Sequence, residues 1–211
     1  MSAMLYYSRS TASLVVHWLL IELGIPHELH ELDFDKRDQK SDDYLKLNPA
    51  GVVPTLVMDG QVITETAAIL MHLADTHPRA DLAPAVASMQ RAQYYRWMLF
   101  CANTLMPAYR AWFYSDEIAG EANVEATEQH ARAKLEKAWD QVADHLEAHG
   151  PYLLGAQRSA ADFLLTMLMR WSRNMPRTAT EWPNLATLAQ RMKARPSFKK
   201  LYEVEQLTEW A

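Results

Sequence analysis

The chain has 211 residues, of which 21 are Lys or Arg and 26 are Asp or Glu, giving a formal charge of −5. Hydrophobic residues make up 49% and charged residues 22%, a composition typical of a globular protein that argues against intrinsic disorder. The length suffices for one large domain or two small ones, and the acidic balance disfavours nucleic-acid binding, which usually needs a basic patch.

The first third of the chain alternates strand-like and helix-like patterns in the order β-α-β-α-β-β-α. Asp59-Gly60 predicts a hairpin, Ser41 predicts a helix start, and Gly24 predicts a helix end. The strands are predicted over residues 4–7, 27–32, 52–58 and 61–64, and the helices over 13–23, 42–47 and 65–76. This order predicts a small mixed α/β sheet with helices on its faces.

The remainder of the chain reads as helical after a proline-containing linker at residues 78–87. Helices are predicted over residues 88–115 with a kink at Pro107, over 124–149, after Ser159, after Pro183 and over 198–202. We therefore predict three parts: an α/β domain over residues 1–77, the linker 78–87, and an all-α domain over 88–211.

The sequence offers no sign of a membrane span or a secretory signal. The longest apolar run, residues 14–21, contains His17 and is far too short to cross a bilayer. The first nine residues lack a basic segment followed by a long apolar run. The single cysteine, Cys101, excludes an internal disulfide and a multi-cysteine metal site, so a reducing cytoplasmic setting and no metal are expected.

Three motifs occur in a defined order along the chain. Val53-Pro54 follows the turn at residues 48–51, and its ordinary interpretation is a trans proline at a strand edge. Glu65-Thr66 follows a strand and opens a helix, where free N–H groups suit a carboxylate; plain capping by Thr64 is the alternative. Ser159 and Asp162 form a capping box with a structural role.

The order and spacing of these motifs, over almost the whole chain, resemble the cytosolic glutathione S-transferase family. The resemblance implies a thioredoxin-like N-terminal domain, an all-α C-terminal domain, a homodimer, and glutathione as co-substrate. It also implies that the Val53–Pro54 bond is cis and presents main-chain groups to glutathione. Glu65 would hold the γ-glutamyl ammonium and Thr66 its carboxylate. Lys36 would meet the glycyl carboxylate, although a solvated charge run is the alternative interpretation of its loop.

The chemistry that the resemblance implies depends on the residue that holds the glutathione thiolate. The segment over residues 7–13 contains five hydroxyl side chains. Ser10 matches the thiolate-binding serine of the serine-type classes, a one-residue shift would give Thr11, and Tyr7 matches the tyrosine-type classes. Helix capping is the simpler role for such hydroxyls. Ala12 and Met106 stand where the bacterial beta class carries a cysteine and a histidine, which disfavours beta-class chemistry.

The resemblance also implies a second substrate, a hydrophobic electrophile or a peroxide, in a detoxification reaction. In the family this acceptor lies between the domains, against the first long helix of the second. Tyr109, Trp112 and Phe113 are the candidates for such a pocket, although aromatic residues at this spacing are more often core. The alternative function is a non-catalytic module of the same fold that binds a protein partner.

Overall fold

The structure, a computed structural model, describes residues 3–210 of the chain. Its first part contains a four-stranded mixed sheet in the order β2-β1-β3-β4, in which β1 and β2 are parallel and the other pairs antiparallel. The strands are β1 (Ala3–Tyr7), β2 (His27–Glu31), β3 (Thr55–Met58) and β4 (Gln61–Thr64), and the helices are α1 (Ser13–Glu22), α2 (Asp42–Leu47) and α3 (Thr66–Thr76). The predicted α/β fold class and element order are confirmed.

Strand β3 is shorter than predicted, because it begins at Thr55 and not at residue 52. Pro54 has no N–H to donate to a neighbouring strand. The carbonyl of Val52 is held by side chains instead, accepting from the Tyr44 hydroxyl at 2.6 Å and from the Asn48 amide at 2.8 Å. The segment before β3 is therefore fixed by helix α2 and the turn after it rather than by the sheet.

The later part of the chain is helical. Its helices are α4 (Met89–Phe100), α5 (Met106–Phe113), α6 (Ser115–Ala119), α7 (Val124–His149), α8 (Ala160–Trp171), α9 (Pro183–Lys193) and α10 (Pro196–Val204). The single helix predicted over residues 88–115 is interrupted ahead of Pro107 by a π-helical turn, Cys101–Leu105. Pro107 cannot donate the hydrogen bond that would continue the α-helical pattern through this turn.

The chain divides into two compact units, residues 3–83 with 193–209 and residues 84–192 with Trp210. The last helix thus belongs to the first unit, where it packs on α1. The Trp18 indole donates to the Ser197 hydroxyl at 3.0 Å, and Arg195 pairs with Glu22. The proposed boundaries at residues 77 and 88 remain a prediction from the sequence. Within residues 3–210, no helix combines the length and apolar character that crossing a bilayer requires.

Candidate functional site

One end of the sheet gathers the segments that the sequence singles out. Tyr7 at the end of β1 pairs with Glu31 at the end of β2, and Tyr6 pairs with Thr55 at the start of β3. Thr55 in turn pairs with Thr64, the last residue of β4. The loop after β1, the loop after β2, the peptide before β3 and the start of α3 therefore all leave the sheet at the same end.

Two hydroxyl groups close the loop between β1 and α1. Thr11 Oγ1 lies 2.6 Å from the Ser8 carbonyl and 2.8 Å from Ser13 Oγ, and the Ser8 N–H donates to Ser13 Oγ at 3.2 Å. Ser13 is fully buried. These contacts give Thr11 and Ser13 a role in closing the loop, whereas the N-cap of α1 is Ala12, which has no side-chain capping hydrogen bond.

Ser10 stands apart from its neighbours by its backbone conformation. Its φ of 61° lies in the left-handed region, which costs a side-chain-bearing residue about 1 kcal/mol. Ser10 is half-buried and lies directly ahead of α1, whose N-cap is Ala12. Backbone strain of this kind concentrates at functional positions, where the surrounding structure maintains it.

Tyr7 is directed toward charged groups of the first unit. Its hydroxyl donates to Glu31 Oε2 at 3.3 Å, and Glu31 also pairs with Arg9 at 2.9 Å. Burial raises the pKa of Tyr7, and the charges of Glu31 and Glu205 raise it further. The Tyr7 hydroxyl therefore stays protonated and already donates to Glu31.

The peptide before β3 presents main-chain groups that the protein itself leaves unused. The Val53–Pro54 bond is cis, and Val53 is buried with its side chain packed near Leu32 and Tyr44. Tyr44 and Asn48 anchor the following strand by hydrogen bonds to the Thr55 hydroxyl at 2.8 and 3.1 Å. Within the described residues, the N–H and C=O of Val53 form no hydrogen bond, so they can serve a bound peptide.

Glu65 and Thr66 open helix α3 without capping it. Glu65 is the N-cap residue, yet its side chain makes no capping hydrogen bond, and Thr64 is not the cap. Glu65 is exposed and has a φ of 67° and a ψ of 113°, whereas Thr66 is buried. Capping alone therefore does not explain this pair, because the backbone of Glu65 is strained while its side chain is exposed and caps no helix N–H.

Two lysines lie on the connection between β2 and the Val53 segment. Lys36 is 77% exposed and pairs with Asp33 at 2.9 Å. Lys40, on the same connection, lies across the turn that leads to Val53. Its ammonium is 3.4 Å from the Ala50 carbonyl, and a Cβ built on Gly51 would come within 2.7 Å of it.

The aromatic residues proposed for an acceptor pocket separate into core and surface in the second unit. Tyr109 is fully buried, and burial raises its pKa, whereas Phe113 is 47% exposed and Trp112 is half-buried. Tyr109 stacks on Phe113 with ring centroids 5.8 Å apart, and Trp171 meets Tyr109 edge-on at 5.5 Å. Only Trp112 and Phe113 offer surface to a substrate, with Tyr109 supporting Phe113 from the core.

The loop after β1 contains no cysteine. Ala12 occupies the N-cap of α1, and Cys101 lies buried in the π-helical turn of the second unit. Burial raises the pKa of the Cys101 thiol, so it stays protonated and unreactive. The described residues also contain no cluster of three or more His, Cys, Asp or Glu side chains arranged to hold a metal ion.

A buried hydrogen bond ties the first helix to a residue near the end of the chain. His17 Nδ1 lies 2.7 Å from Glu205 Oε1, and both side chains are at most 1% exposed. The next residue, Gln206, accepts from Arg9 at 3.4 Å, which joins this contact to the loop that carries Ser10. The sequence did not single out Glu205, because no local pattern links residues 188 positions apart.

Replacing Glu205 with alanine is expected to lower the free energy of unfolding by about 3 kcal/mol, because the buried His17 ring then loses the carboxylate that its Nδ1 contacts at 2.7 Å. Urea unfolding measures this loss. Glu203→Ala is the matched control, since Glu203 is exposed and pairs with Lys200 on the same helix, so its effect stays below about 0.5 kcal/mol. Equal unfolding midpoints for the two variants would contradict the expected contribution of the pair.

Comparison with known proteins assigns both parts of the chain to one family. The family model for the glutathione S-transferase N-terminal domain matches residues 9–76, and the model for the C-terminal domain of the same family matches residues 103–204. A glutathione S-transferase of Xanthomonas campestris is 33% identical over 204 residues, covering 96% of this chain and 98% of the relative.

Solved structures agree with the sequence relatives. A glutathione transferase of Methylococcus capsulatus has a TM-score of 0.88 and 31% identity, covering 98% of this chain and all of that one. A glutathione transferase homologue from Sulfitobacter, solved with bound glutathione, has a TM-score of 0.85 and 27% identity, covering 96% and 98% of the two chains.

Proposed function

This chain belongs to the glutathione S-transferase family and is a glutathione transferase, and from that premise we propose that it binds glutathione at the end of the sheet where the loop after β1, Val53 and α3 meet. The main support for this proposal is the strand register, which brings those segments to the same end of the sheet. The direct test is retention on immobilised glutathione together with turnover of chlorodinitrobenzene. Failure to bind at millimolar glutathione would overturn it.

The thiolate is proposed to lie beside Ser10 at the start of α1. An unperturbed thiol has a pKa of about 8.5, so most of it is protonated near neutral pH and nucleophilic attack needs the anion to be favoured. A hydroxyl donor and the partial positive charge of a helix start both favour an anion. Ser10 is preferred because it lies directly ahead of α1 with a left-handed backbone φ of 61°, and because its position matches the thiolate-binding serine of the serine-type classes.

The cysteinyl part of glutathione is proposed to pair with the main chain of Val53, as one strand pairs with another. This pairing would provide hydrogen-bond partners for the N–H and C=O of Val53, neither of which forms a hydrogen bond within residues 3–210. The γ-glutamyl end is proposed to extend to α3, with its ammonium on Glu65 and its carboxylate on the Thr66 hydroxyl and the free N–H groups of the helix start.

Replacing Glu65 with glycine is expected to change stability and affinity in opposite directions. Glycine accepts a φ of 67° without strain, so the free energy of unfolding should rise by about 1 kcal/mol. Loss of the carboxylate should weaken glutathione binding by about tenfold or more. Calorimetric titration and urea unfolding provide the two measurements, and Glu65→Gln, which keeps the side-chain shape, isolates the charge. Unchanged affinity in both variants would remove Glu65 from the site.

The glycyl carboxylate of glutathione has two candidate cations, Lys36 and Lys40. Lys40 lies beside the turn that leads to Val53, whereas Lys36 is engaged with Asp33 at the surface. Lys40→Ala is therefore expected to raise the KM for glutathione by about fivefold, the loss of one exposed charge-assisted contact. Lys36→Ala serves as the control, and glutathione esterified at its glycine should be insensitive to either change. A KM effect confined to Lys36→Ala would reverse the assignment.

The acceptor is proposed to be an apolar electrophile that contacts Trp112 and Phe113, the two exposed or half-buried rings of that set. Attack by the thiolate forms a carbon–sulfur bond and expels the leaving group of the electrophile. Reduction of a peroxide is a second reaction that the same nucleophile can support: the thiolate attacks one oxygen, the O–O bond breaks and releases an alcohol after protonation, and a second glutathione converts the resulting sulfenic acid to glutathione disulfide and water. A two-fold homodimer remains the expected assembly, and light scattering after size-exclusion chromatography tests it.

A further inference from the structure

A cavity of about 370 Å³ opens on the first unit, between helix α2 and the side of the sheet formed by β1 and β2. Strand alternation places Tyr6 on the face of β1 opposite to the buried Leu5 and Tyr7, and the parallel register sets Tyr6 beside His30 of β2. The lining also includes residues from the loop after β2 and from α2, namely Leu32, Asp38, Asp43, Tyr44 and Leu47. None of these residues is proposed above to contact glutathione or its acceptor, so the cavity has no assigned role.

Three aromatic rings border this cavity. The ring centroid of Tyr6 lies 4.8 Å from that of His30 and 5.6 Å from that of Tyr44, with interplanar angles of 38° and 48°. Tyr44 is buried and its hydroxyl donates to the Val52 carbonyl at 2.6 Å, whereas Tyr6 is half-buried and His30 is exposed. Rings that border one cavity at such angles can offer their electron-rich faces to a methylated ammonium group.

The charged residues of the described lining are two aspartates, with no lysine or arginine among them. Asp43 pairs with Lys46 at 2.7 Å, and Lys46 does not belong to the lining. Asp38 is half-buried, and its Oδ2 accepts from the Asp33 N–H at 3.0 Å. Asp38 forms no ion pair within residues 3–210. A cation in the cavity would supply the counter-charge that this carboxylate lacks.

We propose that this cavity binds a small quaternary ammonium compound, with its methyl groups against the rings of Tyr6 and Tyr44 and its charge beside Asp38. The volume lies within the range of roughly 300–1,000 Å³ that small-molecule sites occupy. A quaternary ammonium is favoured over a primary one because its methyl groups can also pack on Leu32 and Leu47. A primary ammonium would instead lose hydration that these apolar groups cannot replace.

A metal ion is the competing occupant, because two aspartates and a histidine carry possible ligand atoms. The described part of the chain, however, contains no group of three or more His, Cys, Asp or Glu side chains arranged to hold a metal ion. Hard cations require a shell of oxygen ligands, which the aromatic rings and leucines of the cavity cannot complete. The lining thus favours an organic cation over a metal.

Titration of the isotope-labelled full chain with choline, followed by NMR, tests the proposal. Saturating S-methylglutathione is present throughout, because Glu65 is itself proposed to hold an ammonium group. Saturable shifts of the Tyr6, His30 and Tyr44 amide signals are expected at millimolar choline. Dimethylbutanol, the isostere of choline with carbon in place of the charged nitrogen, should bind more weakly by about fivefold.

Variants separate the contribution of the ring from that of the charge. Tyr6→Leu is expected to weaken choline binding by about fivefold, whereas Tyr6→Phe keeps the ring and should change the affinity by less than about twofold. Asp38→Asn should weaken binding by about threefold, because the amide can still accept from the Asp33 N–H but carries no charge. Asp35→Asn is the control, an exposed carboxylate of the same loop outside the lining, and should change the affinity by less than about twofold. Circular dichroism verifies that each variant is folded.

The ligand series also distinguishes a free cation from a lipid headgroup. Phosphocholine should bind more weakly than choline, because its phosphate meets the same aspartates, and equal or tighter binding would overturn the proposal of a free cation. Absence of saturable shifts in the unaltered chain would overturn it as well, as would equal affinity for choline and its neutral isostere. Unchanged choline affinity in Tyr6→Leu, or displacement of choline by magnesium or zinc ions, would have the same consequence.

Discussion

Replacing Ser10 with alanine is expected to lower kcat/KM for glutathione conjugation by about 100-fold, the usual cost of removing one donor to a reacting anion. Glutathione affinity should fall far less, since Val53, Glu65 and Thr66 carry most of the proposed contacts. The pKa of the bound thiol should rise toward its free value of about 8.5. The pH profile of kcat/KM would then move to higher pH, and the rate would partly recover in alkaline buffer.

Two control variants test whether the change in thiol pKa is specific to Ser10. Thr11→Val and Tyr7→Phe each remove one hydroxyl while keeping the side-chain shape, and both hydroxyls already bond within the protein. These variants should leave the thiol pKa close to that of the unaltered chain, although Thr11→Val should reduce stability by about 1 kcal/mol. An alkaline shift in Thr11→Val or Tyr7→Phe, and none in Ser10→Ala, would transfer the role to that residue. Absorbance of the bound thiolate in the ultraviolet measures the pKa directly.

Local patterns were enough to predict the elements that surround the site. Ser41 accepts from the Tyr44 N–H at the start of α2, and Asp59-Gly60 joins β3 to β4, both as their residue types predict. These features depend on hydrogen bonds and backbone angles within a few residues, so the sequence carries them explicitly. The order of these elements then brings Val53 and Glu65 to one end of the sheet without further information.

Contacts between distant segments could not be predicted in the same way. The packing of α10 on α1 and the pairing of His17 with Glu205 join the two ends of the chain, and only the folded chain brings them together. The aromatic spacing suggested a pocket, yet Tyr109 lies in the core. A helical period predicts which residues share a face of the helix, but it does not predict whether protein or solvent covers that face. The left-handed backbone of Ser10 and Glu65 likewise follows from tertiary packing, since neither residue type demands it.

Replacing Asp162 with alanine is expected to lower the free energy of unfolding by about 4 kcal/mol at neutral pH, well above the roughly 1 kcal/mol of an ordinary helix cap. The carboxylate is fully buried and accepts from the Ser159 N–H at 2.7 Å, the Ser159 hydroxyl at 3.0 Å and the Leu153 N–H at 2.9 Å. Alanine would leave both N–H groups unpaired inside the second unit. Urea unfolding followed by tryptophan fluorescence measures the loss.

A second capping box in the same unit provides the matched control. Thr178 and Glu181 repeat the arrangement at an exposed position, with the Thr178 N–H donating to Glu181 at 2.7 Å. Glu181→Ala should cost less than about 1 kcal/mol, because water can replace the lost acceptor. Burial, and not the motif itself, is therefore the expected source of the difference between the two variants.

The effect of Asp162→Ala should also depend on pH. Burial raises the pKa of Asp162 to about 6 in the folded chain, whereas an unfolded aspartate has a pKa of about 3.9. The folded state therefore holds more protons between these values, and the contribution of Asp162 is greatest in acid and declines as pH rises through about 6. The loss caused by Asp162→Ala should be about 1 kcal/mol larger at about pH 5 than at about pH 7. A loss that grew with rising pH would mean that the folded chain favours the ionised carboxylate, and that its three hydrogen bonds outweigh burial.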